Sequence, residues 1–373
     1  MERFGIAFSE GEEKEKCFEE AINDLENQIG KDEPKLVVYY SDVENFVFYT
    51  EKLHEKYPNT QIIGSTTYMS LSSKGRGDLG FSVMAVMYGI EVATGEILEI
   101  SKCPIKYYNR ISDAIANIHD YKNTVCFEFT TAFCNTEELV LDTLKRQLSP
   151  LGIPVIGSSA GAETGADINF VSLNGKIYYE GCVFALIHNE NGRIGIFDEN
   201  FYKTTIHRFM ITDADSDEKR IYELNDDKIL NVLSTSLNLP QEYLREHIND
   251  YPLGRIYGHN IYITEPHEIL EDGSITFHAR IYNYTDVVLL ERESTDNTRK
   301  CMIEEIQKSG IKPSFSLIVN GFDRVRMLKK ENILDKIEKE IKEMLGEYIG
   351  ICGYGEQLDF EQVNETMIIC IFE

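Results

Sequence analysis

One pattern occurs three times in this chain, and an internal threefold repeat restricts the possible folds more than any other feature of the sequence. The first copy runs through the apolar segment Leu36 to Tyr40, a helical stretch from Phe46 to Tyr57, the segment TQIIGSTTYMSLSS ending at Ser73, and the apolar run Gly80 to Tyr88. The second runs through Val125 to Phe129, a helix from Glu137 to Leu148, the segment IPVIGSSAGAETGADINFVSL beginning at Ile153, and EGCVFALI ending at Ile187. The third runs from Ser314 to Phe322, through a helix from Glu331 to Leu345 and the segment EYIGICGYGEQLDFEQVNE, to TMIICIF ending at Phe372. Each copy reads strand, helix, short strand closing on Ile-Gly, polar glycine- and serine-rich loop, strand.

Local patterning supports these assignments. Ile333, Ile337, Ile341 and Met344 recur at helical spacing and place one apolar stripe against a sheet, as do Leu141, Leu144 and Leu148. The strands are short β-branched and aromatic runs bounded by turn residues. Strands alternating with helices predict an α/β fold. The last strand of each copy follows a loop too short for a crossover helix, so the sheets are expected to be mixed, flanked by helices. Two copies precede the polar stretch Asn189 to Asn200 and one follows it, which predicts two α/β domains, 1–200 (internally duplicated) and 201–373. In the latter, helices are expected at Asp226 to Leu237 and Pro240 to Ile248, with a strand pair around the Asp272-Gly273 turn.

The charge excludes some functions. With 63 Asp and Glu against 37 Lys and Arg, the net charge of -26 repels phosphate backbones and anionic lipid, which argues against nucleic acid and membrane surfaces as partners. Eight cysteines stand singly, without CxxC pairs or neighbouring histidine clusters, so no metal site, redox dithiol or cofactor is expected. The first residues lack a basic and apolar leader, and no apolar run is long enough to span a bilayer; a cytoplasmic protein is expected.

Against this acidic background, Gln61 to Ser73 and Gln147 to Ala162 hold no charged residue. Either they are interior strands and turns, or their hydroxyls and amides line a small-ligand cleft at strand ends, where open α/β sheets bind ligands. The candidates are Gly64, Ser65, Thr66, Gly157, Ser158, Ser159 and Gly161, with Gly353, Glu356 and Gln357 in the third loop. Arg324, in the basic cluster Arg324, Arg326, Lys329, Lys330, is placed to fork onto a ligand carboxylate or phosphate; the alternative is a solvated helix start pairing with the Glu-rich helix behind it.

Two motifs suggest enzymes. Gly75-Arg-Gly77-Asp-Leu-Gly80 fits a dinucleotide fingerprint but precedes a strand rather than a helix, so it reads as a hairpin loop. Gly157-Ser-Ser159-Ala-Gly161 fits a nucleophile elbow, with Asp198 and His207 as nameable partners, although a turn-rich stretch follows where a helix is required. Cys134, just ahead of a helix, is a second candidate nucleophile. A hydrolase or acyl transferase using Ser159 or Cys134 is thus the alternative to ligand binding.

The second copy from Ile153 to Ile187 resembles the core of the N-terminal domain of the FIST family (F-box and intracellular signal transduction). The segments FMITDADSDEKRIYELNDDKILNVLSTSLNL, ILEDGSITFHARIYNYTDVVLLE and GICGYGEQLDFEQVNETMIICIF resemble the opening, middle and close of the FIST C-terminal domain. The family's C-terminal domain has a small-residue and cysteine-containing turn leading to arginine after its central strand; this chain departs from it with VNGFDRVRM, so that only Arg324 is carried over. The resemblance implies an intracellular sensor of small polar ligands such as amino acids; no enzymatic activity is expected, and the signal is expected to leave through a separate output protein.

Overall fold

A computed structural model describes residues 3–163, 168–257 and 260–373. Among these, each copy forms a mixed sheet with one internal order. Its opening and middle strands are parallel, and its closing strand lies antiparallel to the opening strand on the other side. The pairs are Leu36–Ser41 with Gln61–Thr66 and Gly80–Val86, Thr124–Thr130 with Val155–Ser159 and Gly181–Asn189, and Phe315–Gly321 with Tyr348–Gly353 and Met367–Phe372. The mixed α/β fold read from the sequence is therefore the observed one.

The repeat is larger than the sequence pattern suggests. An edge strand and a helix precede the opening strand in every copy. Phe4–Glu10 and the helix Lys14–Ile29 introduce the first, and Ile90–Leu98 and Tyr108–Ala116 the second. The third begins with Ile194–Glu199, on the outer side of the closing strand, and takes up its helix only at Thr295–Ser309. What separates that strand from that helix is a second compact unit.

Unit one comprises the chain up to Asp198, Met302–Phe360 and Met367–Glu373; unit two comprises Glu199–Cys301 and Glu361–Thr366. The chain leaves unit one near the expected residue 200 but returns at Met302, so the opening, middle and closing strands of all three copies share one unit. The reason is strand exchange. The loop after each middle strand folds as an extra strand that pairs in another copy's sheet. Ser70–Ser72 of copy one pairs with Tyr348–Gly353 of copy three, Val171–Leu173 of copy two with Gln61–Thr66 of copy one, and Gly355–Leu358 of copy three with Val155–Ser159 of copy two. The exchange closes on itself, so no copy completes its sheet alone. The glycines of the apparent dinucleotide motif belong to this device: Gly75–Gly77 is the return strand of a hairpin and Gly80 opens the next strand.

Helices bury their apolar faces against these sheets. Leu25 and Ile29 pack with Phe46, Tyr49 and Leu53 in copy one, and Ile111 with Leu141, Leu144 and Leu148 in copy two. In copy three, Glu331 lies between two helices, Phe322–Lys330 and Leu334–Leu345, so the expected single helix from Glu331 is shorter and the basic cluster has a helix of its own. Lys329 pairs with Asp78 at 3.0 Å.

Unit two is an antiparallel sheet around the long strand Tyr202–Asp215. Helices Ile229–Leu237 and Gln241–His247 contribute to the core on one face, with Phe209, Leu253, Val287 and Leu289. Pro266–Ile269 and Ile275–Phe277 form the strand pair expected around Asp272-Gly273.

Candidate functional site

The strand-end candidates converge, and they are sealed. Ser65, Thr66, Ser158, Ser159, Arg324, Glu356 and Gln357 are all at most 1% exposed, and the four glycines are buried. In strand register Gly64, Gly157 and Gly350 are equivalent, facing Tyr39, Glu128 and Ile318; Gly353 lies three residues further on.

Three equivalent hydrogen bonds close the centre. The Tyr68 amide donates to the Cys352 carbonyl at 2.9 Å, Gly161 to Thr66 at 3.0 Å, and Tyr354 to Ser159 at 3.2 Å. Each copy thus donates to the copy whose sheet its exchanged strand joins. A Cβ on Gly161 would stand 2.3 Å from the Cys352 oxygen and 2.7 Å from the Tyr68 nitrogen, which only glycine avoids. The hydroxyls are used locally: Ser158 Oγ donates to the carbonyls of Ser159 and Gly355, Ser159 Oγ accepts from Gln357 Nε2 at 3.0 Å, and Thr66 Oγ1 accepts from the Phe170 amide. Arg324 Nη1 donates to Asn320 Oδ1 at 2.8 Å, and the Glu356 carboxylate lies against Gly321. A charge-free sequence follows physically, because these loops desolvate one another.

Ser159 ends a strand, and the described residues directly after it, 160–163, form no helix; its Oγ meets an amide, that of Gln357, rather than a histidine. Asp198 falls in unit one and His207 in unit two. The Cys134 thiol is pushed up by burial, reinforced by Glu137 and Glu180 and opposed by Thr131, the reverse of nucleophile activation. A further buried group carries no signal in the sequence. Glu128 is fully buried beneath copy two, its Oε2 accepting from Thr130 Oγ1 at 2.8 Å and Cys182 Sγ at 3.3 Å, and burial raises its carboxyl to about 8.

A concave site lies in unit two. A cleft of about 340 Å³ is lined by Arg208, Phe209, Met210, Asn225, Ile256 and Asp286, within the roughly 300–1,000 Å³ range of small-molecule sites. Alternation along the strand decides which groups face it. Phe209 turns into the helix-covered core, so Arg208 and Met210 point to the opposite face. Opposite them in register stand Val288 and Asp286, and Val288 clusters with Ile263, Leu290 and Ile256 on that face. Arg208 and Asp286 are therefore diagonal neighbours across an apolar floor, ~7–8 Å apart in such a pair. Among the described residues neither side chain enters an ion pair or a side-chain hydrogen bond. Asn225 closes one side, its Oδ1 accepting from the Met210 amide at 2.8 Å.

Residues 35–227 match the FIST N domain. The chain belongs to the FIST family. FIST domains are signal-transduction sensors. The FIST match spans the first two copies and the opening of unit two; the resemblance drawn for later segments lies beyond it. A curated relative, an uncharacterized protein of Methanocaldococcus jannaschii, is 24% identical over 265 residues, covering 63% of this FIST chain and 50% of that protein. The chain thus matches about half the length of this relative. Among the described residues of this FIST protein, no helix is long and apolar enough to cross a membrane.

Sequence reasoning did not find Arg208 or Asp286. They are 78 positions apart and neither belongs to a motif, so only the pairing of Tyr202–Asp215 with Asp286–Arg292 joins them.

Proposed function

We propose that this FIST protein is a cytoplasmic sensor whose input is a small zwitterionic metabolite such as an amino acid, bound in the cleft of unit two, and that its output is a separate protein. The ligand carboxylate forks onto Arg208, its ammonium meets Asp286, and its apolar part lies over Ile256 and Met210. The observation that carries this reading is the pair of opposite charges held apart over an apolar floor and not spent on each other. In this reading the strand-end residues of unit one hold the three repeats together rather than touch the ligand.

Thermal unfolding with a panel of amino acids and related metabolites tests it. Saturation at a hundred times the dissociation constant adds about 2.7 kcal/mol to the stability of the unit that binds. Arg208→Gln and Asp286→Asn are each expected to abolish the shift while leaving the ligand-free melting unchanged. A panel without any stabilising member, or variants that respond as the parent does, would overturn the assignment.

A further inference from the structure

Unit one bears two local costs at one place. Phe133 and Asn135 have φ values of 67° and 54°, and for a bulky side chain such as phenylalanine this left-handed conformation is strained. The Phe133 ring is also 60% exposed, beside Ile168 at 57% and Tyr179 at 69%. These are three of the five most exposed large apolar side chains among the described residues, which sets them apart from scattered surface apolar groups.

They are held together by a built framework. The Ala132 amide donates to Asn169 Oδ1 at 2.8 Å, and the Thr131 amide to the Gly181 carbonyl at 2.9 Å, which brings the neighbourhoods of all three side chains side by side. Tyr179 packs on Phe170 at 4.8 Å, and Phe133 on Tyr354 at 4.9 Å. From Tyr354 the rings continue through Phe322 at 5.1 Å to Tyr68 at 4.7 Å.

The far end of this aromatic row shows what its rings accept. Arg326 lies over Phe322 at 5.2 Å and Lys329 over Tyr68 at 4.6 Å. The exposed end has acidic neighbours instead: Glu180 adjoins Tyr179 in the chain, and Glu137 and Glu180 lie near enough to the Cys134 thiol beside Phe133 to add to the rise that burial causes there. Three side chains each more than half exposed do not enclose a small ligand, which needs most of its surface buried. They suit a segment of protein laid across them.

We propose that the face formed by Phe133, Ile168 and Tyr179 docks a basic segment of a partner protein, with arginine and lysine stems on the apolar surface and their charged heads over the rings near Glu180. Charge complementarity with a chain of net charge -26 favours such an occupant, and cations over exposed rings supply specificity that net charge lacks. The site lies in the other unit from the proposed ligand cleft and stands or fails separately from it.

The test uses the full chain and a fluorescein-labelled peptide of alternating arginine and glycine, with a glutamine–glycine peptide as control, followed by anisotropy at physiological salt. The arginine peptide is expected to bind and the control not. The Phe133→Ser/Tyr179→Ser double variant, unchanged in charge, is expected to weaken binding at least roughly tenfold, while Phe133→Tyr retains it; circular dichroism confirms that each variant is folded. Equal binding by the folded double variant would mean that net charge alone attracts the peptide, and no binding by the parent would be equally fatal. Saturable binding of tetramethylammonium, lost in the double variant while the peptide does not bind, would reassign the face to a small cation and overturn the proposal.

Discussion

Arg299 grips Glu199 with two hydrogen bonds, Nε at 2.6 Å and Nη2 at 2.8 Å, and both side chains are almost wholly buried. The two residues stand at the start and near the end of the long segment that forms unit two, so the ion pair closes the neck of an insertion 100 positions apart. Insertions succeed where the host chain's two ends already lie close, and this pair holds them so.

Removing one partner strands the other as a buried charge. Arg299→Ala is expected to destabilise unit two by about 3–5 kcal/mol. Denaturant unfolding should then show an early transition from unit two that the parent lacks. A single unchanged transition would deny the pair its role.

The ring of three amide bonds predicts a different failure. In Gly161→Ala the new methyl meets backbone atoms of both other copies rather than a flexible side chain. The expected loss is about 1–3 kcal/mol or more, felt across unit one because all three sheets share the junction. Gly152→Ala is the control for local effects, since a Cβ there meets nothing within 4 Å; its cost is only that of a left-handed alanine at φ 70°.

Glu128 gives stability a pH dependence whose sign is fixed by the direction of its shift. Burial holds the carboxyl at about 8 in the folded chain, above an ordinary value of 4.5. Below the ordinary value both states are protonated and no penalty exists. As pH rises from there toward 8, the unfolded chain releases the proton while the folded chain keeps it, and stability falls by up to about 1.4 kcal/mol per pH unit. Glu128→Gln should lose this part of the slope, gaining stability relative to the parent between pH 5 and 8 in urea titrations. Parallel pH profiles for the two proteins would refute it.

Strain at Phe133 is separable from its ring. Phe133→Ala and Phe133→Gly both delete the contact with Tyr354, but only glycine takes φ 67° without cost. Gly at this position should be more stable than Ala by about 1 kcal/mol, read as the difference between their chemical-denaturation midpoints at equal slope. Equal stabilities would show that the backbone relaxes on losing the ring.

How much could be read in advance depended on the range of the interaction responsible. Glu137–Leu148 was legible to its ends because its apolar spacing and acidic first turn are local. The edge strand Ile90–Leu98 is not legible in the same way, since its half-exposed alternation gives a weaker signal than the apolar runs behind it. The uncharged loops at Gly64 and Gly157 were conspicuous, yet the same hydroxyls and amides suit a ligand or another loop equally well.

By itself, then, the sequence determined the repeat, the α/β character and the places where charge is missing, all of which follow from periodicity and the cost of desolvating charge. The tertiary structure decided which copy's strand completes which sheet, that unit two interrupts copy three, and that Arg208 comes to lie beside Asp286. Those outcomes rest on backbone hydrogen bonds between distant segments, and a backbone donor or acceptor carries no mark in the sequence of the partner it will take.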